Sequence, residues 1–500
     1  MLVRFDFYNP QITLRCHGAD TDARVFTEFN NNTMALYVEA DQSRPAFVEL
    51  FWPAESAENV LVLGDAWERS YGDLCFLPLE KNLRAMPWYF IATNLSESFC
   101  FGVKTAPAAF VSFRYDANGI RALADCRCGA QGVRLNGRRL KLAEFIYRTY
   151  EIEPFYALCD FCKSLCANPI LPQTPVYGGN DWYYAYGNNS FESAVNDAAL
   201  QAVFAKDIKN RPFMVIDDGW EQGDTSGPWL PNDKFKDMRA VCEEIKAAGC
   251  RPGIWMRPLE TQDKSIPAEM KILRGGQQKY LDPSHPGVQA LLREDLRRIK
   301  SWGYELIKHD FSTFDLFGGW GSGLTDTITN ETGWHFFNET KTGAEIVLDF
   351  YRLMYEETKG LLLIGCNTIS HLCAGLVHLN RTGDDTSGKE WARTLKMGVN
   401  TLAFRLAQNK AFYLADADCV GILEDHIPWE KNRSWMELLA YSGSALFLSC
   451  NKADARQTEN IKRAYKIAQQ EHTLRPLDWY DNKTPSVWLI DGKEVTFDWS

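Results

Sequence analysis

Charged side chains end an apolar run near the middle of the chain. The run ELIKHD, residues 305–310, closes on Lys308 and Asp310. Two residues apart on a strand, these side chains point to the same side, and the cation lowers the pKa of the carboxyl. A carboxylate held ionised in this way suits a nucleophile, and glycosyl transfer combines one such group with a second, protonated carboxyl. Asp310 is therefore the candidate nucleophile, and the chemistry requires another acid elsewhere.

Two adjacent acids supply a candidate for that protonated carboxyl. Asp384 and Asp385 follow the apolar run LVHLNR, residues 376–381, which ends in Arg381. Neighbouring carboxyls raise one another's pKa, so one of the pair is expected to hold the proton for the leaving oxygen.

Polar and aromatic residues also end the other apolar runs. Asp217 and Asp218 can accept hydrogen bonds from vicinal hydroxyls, and Lys308 can donate to a hydroxyl. A single acid at a strand end is commonly a helix cap, but a cap needs neither Trp nor a cation beside it. The set therefore indicates a pocket for a polyhydroxylated ring. Its remaining members are Asn180, Asp181, Trp182, Trp220, Trp255, Arg257, Cys366, Asn367, Asp416 and Asp418.

A divalent metal is the alternative use of so many acids, because Asp-rich strand ends bind magnesium or calcium. Here the acids alternate with cations that would repel the ion, and few His lie near them. We expect no metal and no cofactor.

The elements that carry these residues alternate between apolar runs and amphipathic helices. DMRAVCEEIKAAG and VQALLREDLRRIKSWG space their apolar residues by three and four and end on Gly. Eight strand–helix units predict a (β/α)8 TIM barrel, whose active site lies at the carboxyl ends of its strands; a doubly wound sheet is the alternative. The predicted strands are 176–181, 213–218, 252–256, 305–310, 361–367, 376–381, 411–416 and 445–450.

The pattern of apolar and turn residues along the chain predicts three regions. Residues 1–168 consist of short alternating runs broken by turn residues, which predicts an antiparallel β-sandwich. ANPILPQTP is a linker to the barrel, residues 169–480. VWLIDGKEVTFDW predicts a β-hairpin around Asp-Gly in residues 481–500.

Composition limits the partners. The formal net charge of −11 argues against nucleic acid and against an anionic membrane. No apolar run approaches eighteen residues, so no membrane span is expected. The N-terminus does not resemble a signal peptide, and the 14 Cys are interpreted as mostly buried thiols of a reduced compartment, which favours the cytoplasm.

Six short motifs, one per predicted strand and in order, resemble those of glycoside hydrolase family 36 and the related family 27. KHDF resembles the nucleophile motif, VIDDGW the sugar-binding segment, and RTGDDTS the segment with the acid/base. PGIWMRP, LIGCN and ADADC resemble the third, fifth and seventh strands. Family 36 members place a β-sandwich before the barrel, as predicted here.

The resemblance implies a role for each matched residue. Asp310 would be the nucleophile and Asp385 the acid/base, with Asp384 as runner-up because the register of a doubled acid can slip by one. A retaining α-galactosidase acting on terminal α-linked galactose is implied, and many members oligomerise, which allows a homo-oligomer. The implied sugar ligands are Asp217, Asp218, Lys308, Cys366 and Arg381, and the implied pocket walls are Trp182, Trp220 and Trp255.

The chain also departs from the family pattern. Its C-terminal β-domain is reduced to one predicted hairpin, and an insertion rich in Gly and Trp, residues 317–338, follows the fourth strand and is expected to shape outer subsites. Asp65, Trp67 and Glu68 in GDAWERSYGD are candidates for a contribution of the sandwich to the barrel mouth, and turn residues are the favoured interpretation. Open alternatives are an α-N-acetylgalactosaminidase, a β-L-arabinopyranosidase, a galactosyl transferase like raffinose synthase, and a non-catalytic carbohydrate-binding protein.

Overall fold

The computed structural model describes residues 2–18, 22–329 and 331–500. It contains two antiparallel sheets at the N-terminus, a closed parallel barrel, and a small C-terminal sheet. Within these ranges no helix is long and apolar enough to cross a membrane.

The N-terminal sheets form a sandwich because their strands alternate buried and outward side chains, as Thr33–Glu39 does along its whole length. One sheet has the order β1-β5-β12-β11-β8, with β2 also on β5, and the other β3-β4-β13-β10-β9-β6-β7. The strands are β1 Val3–Phe5, β2 Gln11–Cys16, β3 Arg24–Asn30, β4 Thr33–Glu39, β5 Pro45–Ser56, β6 Leu61–Gly64, β7 Leu77–Pro78, β8 Met86–Pro87, β9 Tyr89–Thr93, β10 Ser98–Val103, β11 Phe110–Asp116, β12 Gly119–Asp125 and β13 Leu140–Tyr150.

Aromatic rings fill the space between the two sheets. Trp52 on β5 meets Phe101 on β10 edge to face at 5.1 Å between ring centroids, and Phe90 on β9 meets Phe113 on β11 at 5.7 Å. Such rings combine a large buried area with favourable edge-to-face geometry. The β-sandwich predicted for the N-terminal region is confirmed as an architecture. Helix α1, Pro154–Leu165, follows the last strand of the sandwich and packs against β10 and β13.

The barrel closes through eight parallel strands in chain order, which confirms the TIM barrel. Every predicted strand is present. The seventh begins three residues later than predicted and continues to Gly421, so Asp416 and Asp418 lie within the strand. The strands are β14 Tyr177–Asn180, β15 Phe213–Ile216, β16 Arg251–Met256, β17 Leu306–His309, β18 Leu362–Gly365, β19 Leu379–Arg381, β20 Leu414–Gly421 and β21 Ala445–Ser449.

The barrel helices begin and end at residues suited to those positions. Asp237 caps α4 by accepting hydrogen bonds from the backbone of Arg239 and Ala240. Gly303 ends α5 with φ 100°, a conformation that favours glycine. The helices are α2 Trp182–Ala185, α3 Phe191–Phe204, α4 Met238–Ala247, α5 Pro286–Trp302, α6 Ser312–Phe317, α7 Gly343–Glu357, α8 Ser370–Cys373, α9 Trp391–Thr394, α10 Thr401–Arg405, α11 Trp429–Ser442 and α12 Ala455–Ile467, with a π-helical turn at Leu395–Asn400 between α9 and α10.

The C-terminal sheet contains the predicted hairpin and one further strand. The hairpin strands are β23, Val487–Ile490, and β24, Lys493–Thr496. A short strand β22, Leu474–Pro476, pairs with β23 and lies in the range that the sequence assigned to the barrel. Most cysteines are buried, as predicted, with Cys16 and Cys159 partly exposed.

Candidate active site

The carboxyl ends of the barrel strands surround one cavity of about 620 Å³. Parallel strands direct their C-terminal residues to the same face, so side chains far apart in sequence meet there. The predicted site residues in its lining are Trp182, Asp217, Asp218, Trp255, Lys308, Asp310, Asp384 and Asp385.

Asp310 is held by two donors, one for each carboxylate oxygen. The backbone N–H of Phe311 donates to Oδ1 at 2.7 Å, and Nε1 of Trp255 donates to Oδ2 at 3.2 Å. The residue is 9% exposed. Burial raises the pKa of this carboxyl, but Arg69 and Lys308 outweigh burial and lower it, while Asp385 acts in the raising direction. Asp310 is therefore an oriented carboxylate, the form that attacks.

Asp384 and Asp385 occupy different environments although they are adjacent. Both oxygens of Asp384 face arginines, Oδ1 at 2.8 Å from Arg69 and Oδ2 at 2.7 Å from Arg393. Asp385 places Oδ1 at 3.1 Å from Arg381 and keeps 38% of its side chain exposed. Of the two, Asp385 is the one that offers a carboxyl to the cavity.

The prediction that the adjacent acids raise each other's pKa is wrong for Asp385. Burial raises the pKa of Asp385, but Arg381, Arg69 and Lys308 together hold it well below its usual value. Three nearby cations outweigh one neighbouring carboxylate, because that neighbour is itself neutralised by two arginines. Sequence spacing shows the neighbour but not the cations that other elements contribute.

The two acids at the end of β15, Asp217 and Asp218, are each held in place by hydrogen bonds. Asp217 Oδ2 accepts from Lys308 Nζ at 2.7 Å and from Asn180 Nδ2 at 2.6 Å. Asp218 Oδ2 accepts from the hydroxyl of Thr225 at 2.9 Å. Burial, followed by the nearby carboxylate of Glu221, raises the pKa of Asp218 to about 8. One oxygen of each acid therefore already has a partner of fixed position.

Trp220 is not a wall of the cavity, contrary to the prediction. It is fully buried and donates from Nε1 to the backbone oxygen of Trp255 at 2.8 Å, and its ring packs against Trp229 and Trp302. Trp182 and Trp255 do line the cavity. The strand turns after Asp218, so Trp220 points behind Trp255 and supports it.

Cys366 and Arg381 also lie outside the lining, one layer beneath it, with 1% exposure each. Arg381 Nη1 is 3.4 Å from the sulfur of Cys366, and Nη2 reaches both Asp385 and Asp418, the latter at 3.2 Å. Arg381 therefore holds the carboxyl of Asp385, and direct binding of a sugar by Cys366 and Arg381 stays a prediction.

The sandwich supplies part of the cavity, through residues other than the candidates in the sequence. Asp65, Trp67 and Glu68 are the candidates in the segment GDAWERSYGD, residues 64–73, whereas Arg69 and Tyr71 line the cavity. Arg69 contacts Asp384 and lies 3.8 Å from Asp385. The density of charged and aromatic residues in this segment was the one available signal.

This segment is fixed to the barrel by buried polar contacts. Arg405 of α10 donates to both oxygens of Asp65, at 2.9 and 3.3 Å, and both side chains are buried. Ser70 forms an isolated parallel bridge with Gly383, next to the acid pair. The two domains therefore build one site together.

The insertion 317–338 contributes Trp320 and Ser322 to the lining, in agreement with its expected place beside the pocket. It is tied to the sandwich: Trp67 Nε1 donates to the backbone oxygen of Thr325 at 2.9 Å, and Arg114 binds Asp326 with several hydrogen bonds. Asn330 lies outside the described residues. Other lining residues that the sequence analysis missed are Thr225, Phe311, Arg393 and Met397.

Among residues 2–18, 22–329 and 331–500, no group of three or more His, Cys, Asp or Glu side chains is arranged to hold a metal ion. Three of the acids in the cavity lining, Asp217, Asp384 and Asp385, already pair with basic side chains that would repel such an ion.

Solved structures share this arrangement of domains. An α-galactosidase from Thermus thermophilus, in complex with p-nitrophenyl α-D-galactopyranoside, has a TM-score of 0.63 at 15% identity, over 97% of this chain and 99% of that one. The fold is that of these α-galactosidases. A family 36 α-galactosidase from Geobacillus stearothermophilus has a TM-score of 0.58 at 12% identity, over 98% of this chain and 77% of that one.

A third structure, the α-galactosidase from Lactobacillus brevis, has a TM-score of 0.58 at 13% identity, over 97% of this chain and 74% of that one. No family model matches the chain, and no curated protein matches it. The predicted resemblance to family 36 is thus confirmed in the fold, at a sequence identity too low to transfer a substrate.

Proposed function

We propose that this protein is a retaining α-galactosidase that cleaves terminal α-linked galactose from oligosaccharides. The observation that carries the proposal is that the oriented Asp310 carboxylate and the partly exposed Asp385 line one cavity. Two carboxyl groups flanking a ring are the machinery of glycoside hydrolysis. The fold shared with α-galactosidases supports galactose as the sugar.

In the first step Asp310 attacks the anomeric carbon, and the bond from that carbon to the leaving oxygen breaks. Asp385 donates its proton to that oxygen, and the sugar becomes an ester of Asp310. In the second step Asp385 accepts a proton from water, the water oxygen attacks the same carbon, and the ester bond breaks. Asp310 regains its charge, and the product keeps its anomeric configuration.

Asp385 suits the acid/base role better than Asp384. Both oxygens of Asp384 are engaged by arginines, so neither is left to contact a leaving oxygen. Asp385 has Arg381 at 3.1 Å and Arg69 at 3.8 Å from Oδ1, and 38% of its side chain stays exposed at the cavity. We propose that Asp384 instead fixes Arg69 and Arg393.

Protonation of Asp385 follows the charge of the site. In the open cavity three cations favour its ionised form. A bound sugar displaces water from this half-exposed carboxyl, which raises its pKa, and the charge of Asp310 acts in the same direction. Once Asp310 is esterified its charge is gone, so Asp385 returns to the ionised form that activates water.

The first test is hydrolysis of p-nitrophenyl α-D-galactopyranoside by the parent and by Asp310→Asn, Asp385→Asn and Asp384→Asn. Release of nitrophenol by the parent and its near-total loss in Asp310→Asn support the nucleophile. Asp385→Asn should slow galactosides with poor leaving groups far more than the nitrophenyl substrate, because nitrophenol leaves without a proton. Asp384→Asn should not show that difference.

Proton NMR of the first-formed sugar decides the stereochemistry. Retention gives the α-anomer first, whereas initial β-anomer contradicts the double displacement. No turnover of the galactoside, with turnover of another nitrophenyl glycoside, would replace galactose as the substrate and leave the two-carboxyl mechanism in place.

A further inference from the structure

We propose that Arg257 positions the nucleophile through the ring of Phe311, without touching Asp310 or lining the cavity. The effect on rate rests on the proposed function; the effect on the Asp310 carboxyl does not. Arg257 follows strand β16 and is 7% exposed.

The backbone of Phe311 adopts a conformation that a bulky residue rarely takes. Its φ is 63° and its ψ 1°, in the left-handed region. A residue with a large side chain is strained in this region, and such strain persists only where surrounding contacts enforce it. The turn aims the N–H of Phe311 at Asp310 Oδ1, 2.7 Å away.

Arg257 is the contact that enforces this turn. Its guanidinium carbon lies 4.0 Å from the centroid of the Phe311 ring. Two carboxylates hold the guanidinium in place: Asp315 accepts from Nη2 at 2.6 Å and from Nε at 3.0 Å, and Glu260 forms an ion pair with Nη2. A guanidinium fixed over an aromatic face is attracted by the ring and restricts its position.

The same group of residues closes on itself through the backbone. The N–H of Asp315 donates to the backbone oxygen of Phe311 at 2.8 Å, in the first turn of α6. Asp315 is fully buried, and its pairing with Arg257 does not by itself argue for stability, because burying both charges costs about as much as their attraction returns. Holding Phe311 in place gives this buried pair a role.

A pair of the same chemistry, with more exposed side chains, lies at the opposite end of the same strand. Arg251 stands 4.2 Å from the ring of Phe213 and binds Glu305 at 2.7 Å. It repeats the chemistry of a guanidinium, a carboxylate and a ring, at the end of β16 away from the cavity. Arg251→Met with Glu305→Gln is therefore the control for general loss of stability.

The test variant is Arg257→Met with Asp315→Asn, which removes both charges and leaves neither buried alone. We expect the pKa of Asp310 to rise, because its carboxylate loses the aligned N–H of Phe311. Carbon-13 NMR of protein labelled at the Asp carboxyls measures this pKa, with the signal assigned by its absence in Asp310→Asn. With p-nitrophenyl α-D-galactopyranoside we expect the burst of nitrophenol to slow tenfold or more at a KM changed less than threefold.

The variant Phe311→Gly, used as a second background, distinguishes a positioning role of Arg257 from a role in folding. Gly adopts the left-handed turn without strain, so in Phe311→Gly the turn no longer needs Arg257. Adding the Arg257 and Asp315 changes there should slow the burst by less than threefold further. The proposal is overturned if the Arg257 and Asp315 changes slow the burst equally in the parent and in Phe311→Gly. It is also overturned if the pKa of Asp310 is unchanged in the test variant.

The two proposals fail in different ways. If the parent does not hydrolyse the galactoside, the proposed function fails and the carboxyl titration alone decides the role of Arg257. If the parent is active and the Arg251 control loses as much activity as the test variant, the effect is general destabilisation and positioning by Arg257 is refuted.

Discussion

Replacing Asp65 with Asn removes the charge partner of a guanidinium 340 residues away in the chain. Asp65 lies in the sandwich, and Arg405 lies on α10 of the barrel with no exposed side-chain surface. Arg405 also donates to the backbone oxygen of Thr382 at 3.1 Å, and Gln408 donates to Asp65 at 2.8 Å. Asn at position 65 keeps the shape of the side chain and leaves the buried cation without a counter-charge.

The expected cost follows from the burial of the pair. Breaking one partner of a buried, hydrogen-bonded ion pair destabilises a protein by about 3–5 kcal/mol, because the remaining charge stays buried and unpaired. The double variant Asp65→Asn with Arg405→Met should lose clearly less unfolding free energy than Asp65→Asn, in which Arg405 stays buried without a counter-charge. The exposed pair Arg114–Asp326 is the comparison, since exposed pairs contribute about 0–1 kcal/mol.

Equilibrium urea unfolding of Asp65→Asn, Arg405→Met, the double variant and Asp326→Asn measures these free energies. Hydrolysis rates add a second reading, because Asp65 precedes Arg69 by four residues in the segment that enters the cavity. A cost for Asp65→Asn no greater than that for Asp326→Asn would refute the claim that this pair fixes the sandwich to the barrel.

Other changes give distinct signatures. Arg69→Met removes a cation that lowers the pKa of both Asp310 and Asp385, so both limbs of the pH profile of kcat/KM should move to higher pH; a fixed profile contradicts this electrostatic role. His309 is fully buried, and burial lowers its pKa to about 4 from an ordinary 6.5. The contribution of the neutral imidazole to the free energy of unfolding is therefore complete above pH 6.5, and about 3 kcal/mol of it is lost as the pH falls toward 4. Urea unfolding of the parent and of His309→Phe across this range should show a difference in free energy that depends on pH. Trp220→Phe should lower the unfolding free energy and leave KM within about twofold. Trp255→Phe, which loses the hydrogen bond to Asp310, should lower kcat. In steady-state kinetics, a larger rise of KM in Trp220→Phe than in Trp255→Phe would contradict the assignment.

The barrel was predictable because most of its strands are short buried apolar runs, and many helices between them carry clear periodicity and caps. Residues at the strand ends, such as Lys308 and Asp310, followed from that topology. The third strand of the C-terminal sheet, Leu474–Pro476, is too short to give a periodic signal.

Contacts between domains were not predictable from pattern. Nothing local in residues 64–73 indicates that Arg69 meets Asp384, because the contact depends on how two folded units dock. The same limit explains the wrong expectation for the pKa of Asp385, which depends on cations from three separate elements. The direction of Trp220 was missed because strand periodicity does not extend into the turn after β15.

Docking between the domains also has a consequence for synthesis on the ribosome. Asp65 emerges 340 residues before Arg405, which at about 5–20 residues per second is a delay of roughly 20–70 s. During this interval a completed sandwich presents Asp65, Glu68 and Arg69 to water, where charges are well solvated and discourage aggregation. We expect these charged side chains, of which Arg69 lines the finished cavity, to disfavour aggregation of the nascent sandwich until the barrel is complete.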